Sequence, residues 1–137
     1  MVDDVVLNKT AVIQRCLGRV AEEYGGDPAR LESFTIQDSI VLNIQRACEA
    51  AIDLAMHIVA RKNLGVPQDA RNGFELLRQA GVIESDLAER MKRMVGFRNI
   101  AVHDYQAIQI AIVKAIVVER LGDFDEFTIA IRKVSPQ

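Results

Sequence analysis

The sequence predicts an all-α fold, an up-and-down bundle of four to six helices. Apolar residues recur at steps of three and four along nearly the whole chain, the period of a helix with one buried face. Chain-breaking residues gather at a few places: Gly25-Gly26, Gly65, Gly81 and Gly122, with Pro28, Pro67 and Pro136. Only Ile112 to Val118 is β-branched enough to suggest a strand, and it has no second strand to pair with, so it too is read as helix.

The elements follow in order. From about Asp3 to Tyr24, the residues Val5, Val6, Ile13, Leu17 and Val20 form a helical stripe that ends at Gly25-Gly26-Asp27-Pro28. A long second helix begins near Leu31 or Gln37 and runs to Asn63. Its stripe is Ile36, Ile40, Ile44, Ala47, Ala51, Leu54 and Ile58, and the small residues Ala47, Ala50, Ala51 and Ala55 let another helix come close. Leu64-Gly65-Val66-Pro67 stops it. A short helix from about Asp69 to Gln79 carries Phe74, Leu76 and Leu77, with Gly81 just beyond its end. Ser85 or Asp86 is expected to cap a fourth helix with Leu87, Met91, Met94 and Val95 on its inner face; Met91, Met94 and Phe97 read as core. An apolar stretch from Ile108 to Leu121 and an amphipathic segment from about Asp123 to Val134 complete the chain.

Composition narrows the function classes. The 137 residues suit a single domain spanning 1–137, 50% apolar and 26% charged, which excludes a disordered chain. A net charge of -2 argues against generic nucleic-acid binding, so any RNA contact requires a local basic cluster. Cys16 and Cys48 stand apart with no metal-ligand spacing and read as reduced, buried thiols. The opening MVDDVVLNK lacks the order of a signal peptide, and no apolar run approaches the roughly 20 residues of a membrane span, so a cytoplasmic location is expected.

The chemistry concentrates in RNIAVHDY, Arg98 to Tyr105. Arg98 offers a permanent positive charge in a fork of donors that fits a phosphate. His103 can move a proton in either direction near neutral pH. Such a pair can cut RNA without a metal ion or cofactor, His103 serving as base or acid while Arg98 holds the phosphate as its charge grows. Asn99 would orient the substrate or cap a helix end, and Tyr105 supplies a hydroxyl that binds substrate or is modified. On a straight helix a five-residue step turns His103 about 140° away from Arg98. Either the helix bends within Asn99 to Val102, or two copies of the chain supply the groups jointly in a symmetric homodimer.

RNIAVHDY fits the Arg-x4-His-x-Tyr signature of the HEPN superfamily, and the chain resembles its HepT-like branch. EAAIDLAMHIVA, NGFELLRQAGVI, LAERMKRMVGFRNIAVHDY and LGDFDEFTIAIRKV resemble that branch in order and spacing, so the similarity spans essentially the whole chain. The resemblance implies a HEPN-like helical homodimer acting as a metal-independent endoribonuclease, the toxin of a bacterial toxin–antitoxin pair. It further implies a minimal nucleotidyltransferase antitoxin that neutralises the toxin by adenylylating a tyrosine. The family's catalytic Arg and His fall on Arg98 and His103, its polar residue on Asn99 and its modified tyrosine on Tyr105. An alternative is a non-catalytic subunit that presents a substrate or regulatory surface to the nucleotidyltransferase; another is a purely structural dimer.

Secondary candidates are weaker. Asp53 and His57 are one turn apart and could hydrogen-bond; two groups are too few for a metal, and His57 reads as a satisfied, partly buried histidine. Lys92 and Arg93 read as solvated residues that could extend a phosphate rim around Arg98. Asp104 is read as pointing outward, where it does not repel RNA. With few aromatics and no Trp there is no stacking platform, so RNA binding should be mostly electrostatic.

Overall fold

A computed structural model describes Asp3 to Ser135; Met1, Val2, Pro136 and Gln137 lie outside the described residues. Every regular element among them is helical. Helix α1 (Asp4–Tyr24) begins where the Asp3 carboxylate accepts from the backbone N–H of Val5 and Val6, and it ends at Gly25 in the left-handed region (φ 59°). A 3-10 turn (Pro28–Glu32), capped by Asp27, leads into α2 (Phe34–Arg61), whose N-cap is Ser33. Helix α3 (Ala70–Gln79) is capped by Asp69. Then comes α4 (Ser85–His103), which carries the motif at its C-terminal end.

After α4 the chain turns sharply. Tyr105–Ala107 forms a 3-10 turn, and α5 (Ile110–Ala115) runs through a π-helical turn (Ile116–Arg120) into α6 (Leu121–Val134). The β-branched run is therefore helix, as expected. Gly122 is not the break its residue type suggested; it lies inside α6 with open space around it. The interruption is instead the π turn just upstream, where an extra residue is absorbed without ending the helical path. The cap of α4 also differs from expectation. Glu84 holds the N-cap position without a side-chain hydrogen bond, and Ser85 and Asp86 are already helical.

Helix α2 is the central element, packed against α1, α3, α4 and α6. Ile40, Ile44, Ala47, Ala51, Leu54 and Ala55 are all fully buried along it, so the alanines do allow the close approach their size predicts. Truncating a site such as Leu54 to alanine would cost about 2–5 kcal/mol, from reduced burial and the cavity left behind. Helix α6 closes the core with Phe124, Phe127 and Ile131, and Phe127 meets Phe74 of α3 edge to face at 5.3 Å. Met91, Met94 and Phe97 are buried on α4, and Cys16 and Cys48 are buried free thiols. Met94 and Cys48 mark the seam between α4 and α2, where the thiol donates to the Met94 carbonyl at 3.5 Å. That seam fixes the end of α4, and with it Arg98, against α2.

Candidate functional site

Helix α4 is continuous through His103, and the N–H of Asp104 still bonds to the Ile100 carbonyl at 2.9 Å. The bend within Asn99 to Val102 that could have aimed Arg98 and His103 together is absent. The five-residue step therefore leaves them about 140° apart around the helix axis. Arg98 faces α2: its side chain is 20% exposed and its guanidinium lies 3.5 Å from Glu49. Its Nε is buried and has no hydrogen-bond acceptor among the described residues.

His103 is the last residue of α4 and is exposed. Asn99 is half-buried and caps no helix end. Asp104 is exposed, as expected, and its non-helical backbone (φ -150°, ψ 61°) ends the helix. Tyr105 opens the 3-10 turn and donates its hydroxyl to the Asp38 carboxylate of α2. Desolvation, then the bond to Asp38, pushes the phenol up to about 12, so it stays protonated at neutral pH. Among the described residues no side-chain hydrogen bond or ion pair joins Arg98, Asn99, His103 and Tyr105 to one another. Helix α2 holds two of them, Arg98 at Glu49 and Tyr105 at Asp38, about 16 Å apart along its axis. Neither carboxylate was singled out from the sequence, because both lie more than forty residues from their partners and carry no local signal.

Two secondary assignments are corrected. His57 does not pair with Asp53: it meets the buried Asp3 at 2.7 Å, while Asp53 pairs with Lys9 at 2.9 Å. A carboxylate already fixed as a helix cap is the better-placed partner than one on the exposed side of His57's own helix. Lys92 is not a solvated rim residue either. It is 21% exposed and bridges Glu75 at 2.8 Å and Glu89 at 3.2 Å, so its charge is committed to the α3–α4 contact. Arg93 remains exposed, at the edge of an apolar cleft lined by Phe97, Ile100 and Ile112.

Comparison with known proteins decides the family. Residues 13–131 match the family model described as Ribonuclease HepT-like. The chain belongs to the HepT-like family. It is 45% identical over 130 residues to the mRNA nuclease HepT of Shewanella oneidensis, covering 95% of this chain and 98% of that one. Among solved structures, a tri-AMPylated Shewanella oneidensis HEPN toxin in complex with its MNT antitoxin superposes with a TM-score of 0.91. It shares 45% identity and covers 96% of this chain and 98% of that chain. A crystal structure of a toxin–antitoxin with AMP-PNP gives a TM-score of 0.90 at 45% identity, covering 96% and 99% of the two chains. The HepT-like fold expected from the motif is thus the fold observed.

Proposed function

We propose that this chain is a metal-independent endoribonuclease toxin, held in check by a minimal nucleotidyltransferase antitoxin that adenylylates Tyr105. The observation that carries the reading is the 45% identity to an mRNA nuclease over 95% of the chain. In the proposed reaction the substrate's own 2′-oxygen attacks the adjacent phosphorus, forming a 2′,3′-cyclic phosphate and expelling the 5′-oxygen of the next nucleotide. One proton leaves the 2′-hydroxyl and one must reach the 5′-oxygen. The partner subunit's His103 takes the first as base and, as the imidazolium, supplies the second as acid, a positioned transfer worth about 10²–10⁴ in rate. Arg98 binds the phosphate and gains most as negative charge builds on the non-bridging oxygens.

The assembly we propose is a homodimer with the two motifs facing one shared cleft. Continuity of α4 supports it, since one chain alone turns Arg98 and His103 apart. So do the exposed apolar side chains within and just after the motif, Ile100, Val102, Ile110 and Ile112, between 38% and 50% exposed. Adenylylation would join the Tyr105 oxygen to the α-phosphorus of ATP and release pyrophosphate. It removes the proton that Asp38 now accepts, and the added phosphodiester brings negative charge and bulk to the place where RNA would sit. A cytoplasmic location remains an expectation of this reading; among the described residues no helix is long and apolar enough to cross a membrane.

The test is direct. Purified protein freed of antitoxin should cut RNA in EDTA, and the His103→Ala protein should not; dependence on added metal together with an active His103→Ala protein would refute the mechanism. Production without antitoxin should arrest growth, whereas a non-catalytic subunit would be harmless. Co-production with the antitoxin should add one or more AMP masses to the peptide holding Tyr105, and an unmodified, neutralised toxin would refute the adenylylation.

A further inference from the structure

The overall charge of -2 requires that any RNA contact come from a local cluster, and the basic residues preceding the motif fall short of one: Lys92 is committed to Glu75 and Glu89, which leaves Arg93. The fold supplies one elsewhere. A cleft of about 700 Å³ opens between α1 and α2, with Arg15 and Arg19 of α1 and Arg46 of α2 on its walls. Arg15 and Arg19 are one helical turn apart, about 6 Å along the axis. Arg15, Arg46 and buried Cys16 all line this one cleft. All three are exposed, and none forms an ion pair with a carboxylate among the described residues. The acidic residues on the same walls are engaged: Asp53 with Lys9, Glu49 with Arg98, and Asp38 with the Tyr105 hydroxyl. The last two pairs also make the cleft continuous with the motif.

We propose that this cleft is the track for the substrate's backbone. Single-stranded RNA running from the Arg98 phosphate along α1 and α2 would place successive phosphates on Arg46, Arg15 and Arg19. The inference rests on the nuclease reading and names the surface that reading lacks. Arginine suits the task because its fork binds phosphate oxygens in pairs and its charge is permanent. Charge complementarity favours RNA over a protein partner here, since among the described residues the walls carry three exposed arginines and one exposed large apolar side chain, Leu42, 41% exposed. The sequence conceals the cluster because its members come from two helices, some thirty residues apart.

The experiment measures binding of a fluorescently labelled single-stranded RNA of about 20 nucleotides to the full-length His103→Ala protein, which leaves the RNA intact. Replacing Arg15, Arg19 and Arg46 by alanine should weaken binding about tenfold or more at low salt. The slope of log affinity against log salt should fall by about 2, or 0.7 for each phosphate that an arginine no longer neutralises. On the His103-containing protein the same triple change should raise KM for RNA while leaving kcat near the parent value. A control that removes three equal charges, Lys114, Arg132 and Lys133, should do neither. Circular dichroism establishes that both triple variants are folded. Unchanged affinity and slope in the Arg15, Arg19 and Arg46 variant overturn the inference, as does equal weakening in the control. Intact RNA binding combined with failure to be neutralised by the antitoxin would give the cleft to the protein partner and also overturn it. RNA binding that needs the three arginines in a parent protein that cuts nothing would refute the nuclease reading and leave the track standing.

Discussion

Arg90 anchors the helix that carries the motif. Its guanidinium lies 2.5 Å from Asp123 and also bonds Glu126, both on α6, while Asp86 on its own helix lies 3.1 Å away. Arg90 is 17% exposed and Asp123 7%, so the central pair is largely out of water. Asp86 and Glu126 are well exposed and add little, within the roughly 0–1 kcal/mol of a surface pair. The perturbation is Arg90→Met, which keeps the apolar stem and removes the charge, leaving Asp123 buried without its cation. Removing one partner of a buried pair costs about 3–5 kcal/mol, and we take the lower end because Arg90 keeps some solvent contact. For a chain of this size about 3 kcal/mol lowers Tm by roughly 10 °C. The assay is thermal unfolding by calorimetry and circular dichroism, at neutral pH and moderate salt. The double variant Arg90→Met with Asp123→Leu should recover most of the loss, because a packed apolar pair replaces a desolvated ionic one. A loss below about 1 kcal/mol for the single variant would show that solvent screens the pair. A double variant no better than the single would refute the claim that the stranded carboxylate is the cause.

Two further outcomes follow from ionisable groups away from the motif. Asp3 holds its proton less tightly than a free carboxyl, chiefly because it hydrogen-bonds His57, with burial opposing and the Val6 N–H assisting. A lowered folded pKa means stability that is present above the unfolded value near about 4 and lost as pH falls through the folded one. Asp3→Asn keeps a cap oxygen but removes that charge, so it should be less stable at neutral pH with a flatter acid limb. An unchanged acid limb in denaturant titrations would contradict the assignment. Burial pushes the Cys48 thiol up to about 12 and raises Cys16 as well. Iodoacetamide at about pH 8 should therefore label neither in the folded protein and both in guanidinium, as read by intact mass; rapid labelling of Cys48 in the native state would contradict its burial.

Much of the fold is legible in the sequence because helix signals are local. The stripe of Ile40, Ile44, Ala47, Ala51 and Leu54 specifies α2, and Gly25 marks the end of α1 by the left-handed backbone it adopts. The errors arise where residue type and local path disagree. Gly122 suggested a break, yet an exposed glycine inside a helix meets no steric obstacle, and the irregularity was taken up by the π turn before it. Helix spacing suggested that His57 pairs with Asp53, but a buried carboxylate from the chain's start proved better placed. The site divides the same way. Arg98, Asn99, His103 and Tyr105 could be read from one octet, whereas Glu49, Asp38 and the arginines of the α1–α2 cleft are brought near it only by packing. No periodicity along one segment encodes a contact between two.

The central claim is that Arg98 of one subunit and His103 of the other act on the same phosphate. Mixing Arg98→Ala and His103→Ala proteins, unfolding them together and refolding them tests it most directly. Half of the resulting dimers would carry one of each chain, and in each of those one of two composite sites would be intact. The account predicts RNA cleavage at about one quarter of the wild-type rate from two proteins that are each inactive alone. A mixture as inactive as its parents, with mixed dimers shown by mass spectrometry to have formed, would contradict it.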